Sequence, residues 1–162
     1  MQTIKFKLLH PDAKLPQRAH ATDAAFDVIA TSVRYTPEYI EYGLGFATEI
    51  PAGWEGKVYA RSSISNYDLS LCNSVAIIDQ TYRGEWLCRF RPNFRIIEEP
   101  RFGEMADGGL NKRKSFTADK FYKVGDRIAQ IQFQRVPEVR FEVVDEMNDS
   151  TRSAGGFGST GA

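Results

Sequence analysis

The stretch IAQIQFQRV, residues 128–136, sets Ile131 and Phe133 between the amides Gln130, Gln132 and Gln134. A period of two sends successive side chains to opposite faces, so the run is predicted as a strand with one face in a core. Outward from it, short alternating runs recur in IKFKLL at 4–9, GKVYA at 56–60, EWLCRFR at 85–91 and VRFEVVD at 139–145. Each reads as a half-buried strand. Turn formers separate them: Pro11, Pro16, Pro37, residues 51–53, Arg83-Gly84, Pro92-Asn93, residues 124–126 and Pro137. Many short strands spaced this way predict an all-β chain, a barrel or jelly roll. The best helix candidate is SSISNYDLSL at 62–71, one or two turns with Ser62 or Ser63 as N-cap. Residues 97–115, polar and glycine-rich, read as a long surface excursion.

The chain has 162 residues, 42% of them hydrophobic, which is the size of one domain with a sizeable core. Its 21 basic and 21 acidic residues cancel, so there is no electrostatic case for wrapping nucleic acid, and a small charged ligand fits better. Cys72 and Cys88 lack paired spacing, and nothing at the N-terminus reads as a signal or a membrane span. A reducing, cytoplasmic setting is expected. His10 and His20 have no second histidine or cysteine at ligand spacing, which argues against zinc.

Four segments carry chemistry. RSAGGFGSTG at 152–161 holds four glycines, two serines, a threonine, an aromatic ring and an arginine where no packed element forms. Ordering so much glycine costs entropy, which a ligand must offset. Arg152 offers a fork for phosphate oxygens, Ser159 and Thr160 offer hydroxyls, and Phe157 offers a face for a base. The tail thus reads as a nucleotide lid, against the alternative of a plain disordered terminus. ARSSIS at 60–65 joins a strand to the helix candidate, so Arg61, Ser62 and helix N–H groups can converge on phosphate; a capped surface helix is the alternative. NSVAIIDQTYRGEW at 73–86 reads as a hairpin whose Asp79 either activates a water or holds an Asx turn. VGDRIAQIQF at 124–133 offers Gln130 as a donor after a turn in which Asp126 and Arg127 are read as solvated.

As a set these segments resemble the trimeric dUTP pyrophosphatases (dUTPases). RSS, an asparagine six residues before the aspartate of IIDQTYRGE, GDRIAQ and RSAGGFGSTG resemble the family's second to fifth motifs, and ATDAAFDV at 21–28 resembles the first, with Asp27 at the aspartate position. The order is right from about Leu15 to Gly161, nearly the whole chain.

The resemblance implies a distorted jelly-roll β-barrel over 1–151, with one short helix, and a flexible glycine-rich arm over 152–162 that closes on the site. It implies conversion of dUTP and water to dUMP and pyrophosphate, limiting uracil in DNA and supplying dUMP for thymidylate synthesis. The cofactor would be Mg²⁺ held mainly by the triphosphate, with Asp27 reaching it through water. Three identical chains would build each site, with no direct nucleic-acid or membrane binding. Asp79 would be the base for the attacking water. Asn73, the backbone near Ile77 and Ile78, and the returning strand around Leu87 would read uracil, and Tyr82 would pack under the deoxyribose. Arg61, Ser62, Ser63 and Gln130 would hold phosphates. Arg152, Phe157, Gly158, Ser159 and Thr160 would close over γ-phosphate and base.

Two departures stand out. Ala25 and Ala76 occupy positions where the family commonly has glycine, each adding a methyl beside packed backbone. The excursion at 97–115 is predicted to add a hairpin or flap. Its role is open between a subunit contact, a protein-partner surface, a second lid using Arg101, Lys112, Arg113 and Lys114, and a solvated insertion that loop entropy tolerates. Two rival functions remain: a dCTP deaminase or bifunctional deaminase of the same fold, and a nonenzymatic interaction protein using the inserted loop.

Overall fold

The structure, a computed structural model, describes residues 2–93, 95–100, 110–115, 120–151 and 153–154. Regular structure is almost wholly β. In chain order the strands are β1 (Lys5–Leu8), β2 (Phe26–Ile29), β3 (Ser32–Tyr35), β4 (Ile40–Gly43), β5 (Phe46–Glu49) and β6 (Trp54–Ala60). After a 3₁₀ turn at Ser62–Asn66 come β7 (Leu69–Leu71), β8 (Val75–Ile78), β9 (Leu87–Pro92), β10 (Arg95–Pro100), β11 (Leu110–Ser115) and β12 (Arg127–Arg135). Two antiparallel four-stranded sheets carry the fold, ordered β2-β12-β6-β8 and β3-β4-β9-β7, with β1 and β5 forming a short third sheet.

β12 behaves as its alternation predicts. Ala129 and Ile131 are fully buried and pair with Ala60 and Val58, while Gln130 and Gln132 line a cleft on the other face. A register shift against β2 between Arg127 and Ala129 leaves Ile128 buried as well. This is the local effect of a bulge, one extra residue that bends the strand and re-aims its side chains. The core continues through Tyr42, Phe46, Trp86, Phe90 and Tyr122, all at or below 1% exposure. Tyr42 meets Phe90 edge-on at 5.8 Å, and Phe90 meets Tyr122 at 5.5 Å. Such pairs add about 0.5–1.5 kcal/mol each beyond their buried area. Gly53 and Gly125 turn at φ of 73° and 92°, at two of the predicted corners.

Three expectations change. The helix candidate shrinks to the 3₁₀ turn, and its N-cap position falls to Arg61, with no side-chain cap bond, rather than to Ser62 or Ser63. Tyr67 leaves the turn extended and lays its ring 4.0 Å from that of Tyr122. Leu69 and Leu71 then enter the core as β7, so burial outweighs a weak helical propensity. Second, β8 and β9 do not form a hairpin ladder: β8 pairs with β6, and β9 with β4 and β7. Before β9 begins, the chain is captured at Trp86, whose N–H donates to Phe46 and whose carbonyl accepts from Leu44. Third, VRFEVVD forms no strand, and Val139, Phe141 and Val143 are 68%, 91% and 100% exposed. The expected all-β, jelly-roll architecture holds, with the two main sheets not joined into one closed ladder among the described residues. The excursion does add a hairpin, β10 with β11, placing Glu98 opposite Lys112.

Candidate active site

The first cleft, of about 650 Å³, opens on the outer face of β2, β12 and β6. Asp27 on β2 pairs with Gln130 on β12, which pairs with Tyr59 on β6, so the sheet register brings the first, second and fourth motifs together. Arg61 donates to Asp27 through Nε at 2.8 Å and Nη2 at 3.3 Å, and its Nη1 reaches the Ser63 hydroxyl at 3.3 Å. Arg127 donates to the same carboxylate from Nη1 at 3.1 Å, and its carbonyl accepts from Arg61 Nη1. Arg127 is therefore a structural partner of Asp27 and not merely solvated. Gln130 donates its amide to the Ala60 carbonyl at 3.0 Å, and Ser62 is exposed on the cleft wall. Fixed cationic donors beside a hydroxyl and amides suit phosphate oxygens.

The second cleft, of about 460 Å³, lies where β8 and β9 diverge. Asn73, Ile77, Ile78, Asp79, Tyr82 and Leu87 all line it. The edge of β8 away from β6 has no ladder partner among the described residues, so backbone donors and acceptors are left for a planar ligand with a hydrogen-bonding edge. Asp79 directly follows β8, and its backbone carbonyl closes the turn by accepting from Tyr82 N–H at 3.0 Å. Its carboxylate makes no hydrogen bond among the described residues, so it does not hold an Asx turn and stands exposed to solvent. Tyr82 is fixed by its hydroxyl, 2.9 Å from the Glu85 carbonyl, with its ring folded over Gly84, where a side chain would collide with it. Arg89 also lines this cleft, held by Glu41 on β4 at 2.8 Å. Burial alone would raise the Glu41 pKa, but bonds from Arg34 and Arg89 outweigh it and hold it below the usual carboxylate value.

The two clefts share no lining residue. Arg61, Ser62 and Gln130 are gathered in one and the residues around Asp79 in the other. Ala25 lines the phosphate-type cleft, and Ala76, 8% exposed, lines the second. Arg152, Phe157, Gly158, Ser159 and Thr160 lie outside the described residues, as does Arg101. Sequence reasoning missed Arg127, Asp23, Tyr59 and Gln132; of these only Gln132 left a signal, on the same face as Gln130 in the alternating run. No group of three or more potential ligating side chains occurs among the described residues. Both oxygens of Asp27 already accept from guanidiniums, so this donor set fits a cation that enters chelated by phosphate and meets Asp27 through water.

A family model described as dUTPase matches residues 114–161. The deoxyuridine 5'-triphosphate nucleotidohydrolase of Rhodococcus erythropolis is 34% identical over 163 residues, covering 98% of this chain and 86% of that protein. The enzyme of the same name from Clostridium tetani is 32% identical over 162 residues, with 98% and 97% covered. The solved structure of Staphylococcus bacteriophage 80alpha dUTPase with dUPNHPP aligns over 100% of both chains with a TM-score of 0.75 at 24% identity. A variant dUTPase of phage phi11 of S. aureus, solved to describe the coordination of a structural Mg(II) ion, aligns at a TM-score of 0.63 and 23% identity, covering 90% of this chain and 98% of that one. With relatives this similar along nearly its whole length, and a jelly-roll fold in common with them, the chain belongs to the dUTPase family.

Proposed function

We propose that the chain hydrolyses dUTP to dUMP and pyrophosphate as a homotrimer, with each nucleotide held between clefts of different copies. The observation that carries this reading is the division of the chemistry. One cleft has an amide and open backbone groups with a carboxylate at its end, the other has guanidinium, hydroxyl and amide donors, and they have no residue in common. The exposed alternating run at 139–143, partnerless in its own chain among the described residues, supports contact with another copy.

In this reading Asn73, the backbone of Ile77 and Ile78, and Leu87 take the uracil edge, and Tyr82 packs beneath the deoxyribose. Arg61, Ser62, Ser63 and Gln130 hold phosphate oxygens. Asp79 orients one water and takes its proton as the water oxygen bonds to the α-phosphorus and the α–β bridging bond breaks, releasing pyrophosphate. Asp27 would meet a triphosphate-bound Mg²⁺ through water, and the ion would supply charge neutralisation on the phosphates. The arm at 152–162, with Arg152, Phe157, Gly158, Ser159 and Thr160, closes over the site and excludes bulk water. Free thiols at Cys72 and Cys88 suit a reducing, cytoplasmic setting.

Pyrophosphate release measured across dUTP, dCTP, dTTP and UTP tests the base edge, the methyl and the sugar together. Turnover confined to dUTP is expected. Release from dCTP with ammonia, or no release from dUTP with Mg²⁺ present, overturns the reading.

A further inference from the structure

Arg89 is the one cation lining the second cleft among the described residues, and the mechanism above gives it no task. Its guanidinium is held twice. Nε donates to Glu41 Oε2 at 2.8 Å, and the plane lies over the Tyr39 ring at 4.5 Å. Glu41 is itself only 8% exposed and fixed from the other side by Arg34, at 2.7 and 3.0 Å. The two terminal nitrogens of Arg89 donate to no protein atom among the described residues. A long cation usually gives up rotamer freedom only where its fork has work to do, and here the anchor leaves the outer donors unspent.

The position is as specific as the orientation. The Arg89 carbonyl accepts from Cys72 N–H at 2.9 Å, which seats Arg89 beside Cys72 and Asn73. Asp79 follows the opposite end of β8. Arg89 thus stands beside Asn73, one of the base-reading residues of the proposal, toward the end of the cleft away from Asp79.

We propose that Arg89 is a specificity-determining residue that donates a hydrogen bond to uracil O4, an inference that rests on the dUTP reading above. Uracil and cytosine differ at that corner of the ring: a carbonyl acceptor in one, an amino donor in the other. A cationic donor held in place stabilises the first and faces the second donor to donor, leaving both unpaired. Glu41 and Tyr39 act through Arg89 as positioning residues.

The test is steady-state pyrophosphate release by the full chain with dUTP and dCTP, for wild type, Arg89→Ala, Arg89→Lys and Glu41→Gln. Arg91→Ala, on the same strand but outside the cleft, is the control. Arg89→Ala should raise KM for dUTP by about 10- to 100-fold, the range for one charge-assisted hydrogen bond, with kcat within about threefold. The dUTP-over-dCTP preference should fall about tenfold. Arg89→Lys, which keeps charge but loses the Nε anchor, should not restore the preference, and Glu41→Gln should shift it the same way by less. If Arg89→Ala does not fold, the Lys and Gln variants carry the test alone. An unchanged preference, an equal loss for both nucleotides, or a KM that recovers as protein concentration rises would overturn the assignment, the last by marking Arg89 as a subunit contact. Wild type inactive on dUTP would instead bring down the parent reading, and this one with it.

Discussion

The cleft at Arg61 lies on one sheet, the cleft at Asp79 lies between two, and they are built by opposite means. The first sits on continuous ladders, β2 to β12 to β6, and its charged groups brace one another, with Asp27 taking bonds from both Arg61 and Arg127. The second exists because two strands part, each belonging to a different sheet, and Asp79 holds nothing in place with its side chain among the described residues. Where ligand-facing groups also bind each other, function and stability fall together. Where a backbone gap makes the site, they separate.

The sharpest test of that contrast is Asp79→Asn. Loss of a general base costs about 10²–10⁴-fold in rate, so kcat for dUTP should collapse over that range. Because Asp79 is exposed and makes no side-chain bond among the described residues, the thermal midpoint should move by no more than about 1 °C. A variant that keeps its rate removes Asp79 from the chemistry, and one that unfolds early breaks the contrast.

Asp27→Asn should behave differently. The amide keeps one acceptor but loses the charge that fixes Arg61 and Arg127 together, so both guanidiniums are released. We expect kcat/KM for dUTP to drop about 10- to 100-fold, as for a misplaced phosphate ligand. Scanning calorimetry should show a midpoint lower by about 2–6 °C, the signature of losing roughly 1–2 kcal/mol in a chain of this size. Activity lost at unchanged stability would mean that the network does not brace the cleft.

The same contrast explains what the sequence could and could not disclose. Alternation in IAQIQFQRV set the core face of β12 and placed Gln130 and Gln132 outside it, since strand geometry depends only on neighbours along the chain. Turn chemistry at Gly53 and Gly125 was equally local. The Asp27–Arg127 bond joins residues 100 positions apart, and no spacing rule reaches that far. The parting of β8 from β9 was hidden for a related reason: consecutive strands usually pair, and only the capture of Trp86 by residues 44 and 46 sends β9 to the other sheet. VRFEVVD carries the alternation of a strand, but alternation says that one face is to be covered, not by which segment. The five motifs pointed to the family, while the division of the first four between two clefts depends on long-range strand pairing that no motif encodes.

The smallest expected effect concerns the support behind the second cleft. Bonds from Arg34 and Arg89 hold the Glu41 carboxyl below its usual value of 4.5 despite burial, so the folded state binds that proton more weakly than the unfolded one. A group depressed in this way contributes stability above the unfolded pKa and loses it as pH falls through the folded one. Glu41→Gln should therefore lower stability at neutral pH by roughly 1–2 kcal/mol, a few degrees in midpoint. The gap from wild type should narrow steadily below about pH 4.5, where the carboxylate of the unfolded chain takes up its proton. Denaturation midpoints for both proteins from pH 7 to pH 3 would show it. A gap that stays constant with pH would mean that Glu41 acts by packing rather than by charge. The anchor holding Arg89 in the base-reading cleft would then have no electrostatic part, and the contrast between a braced cleft and an open one would extend to the second cleft's supporting wall.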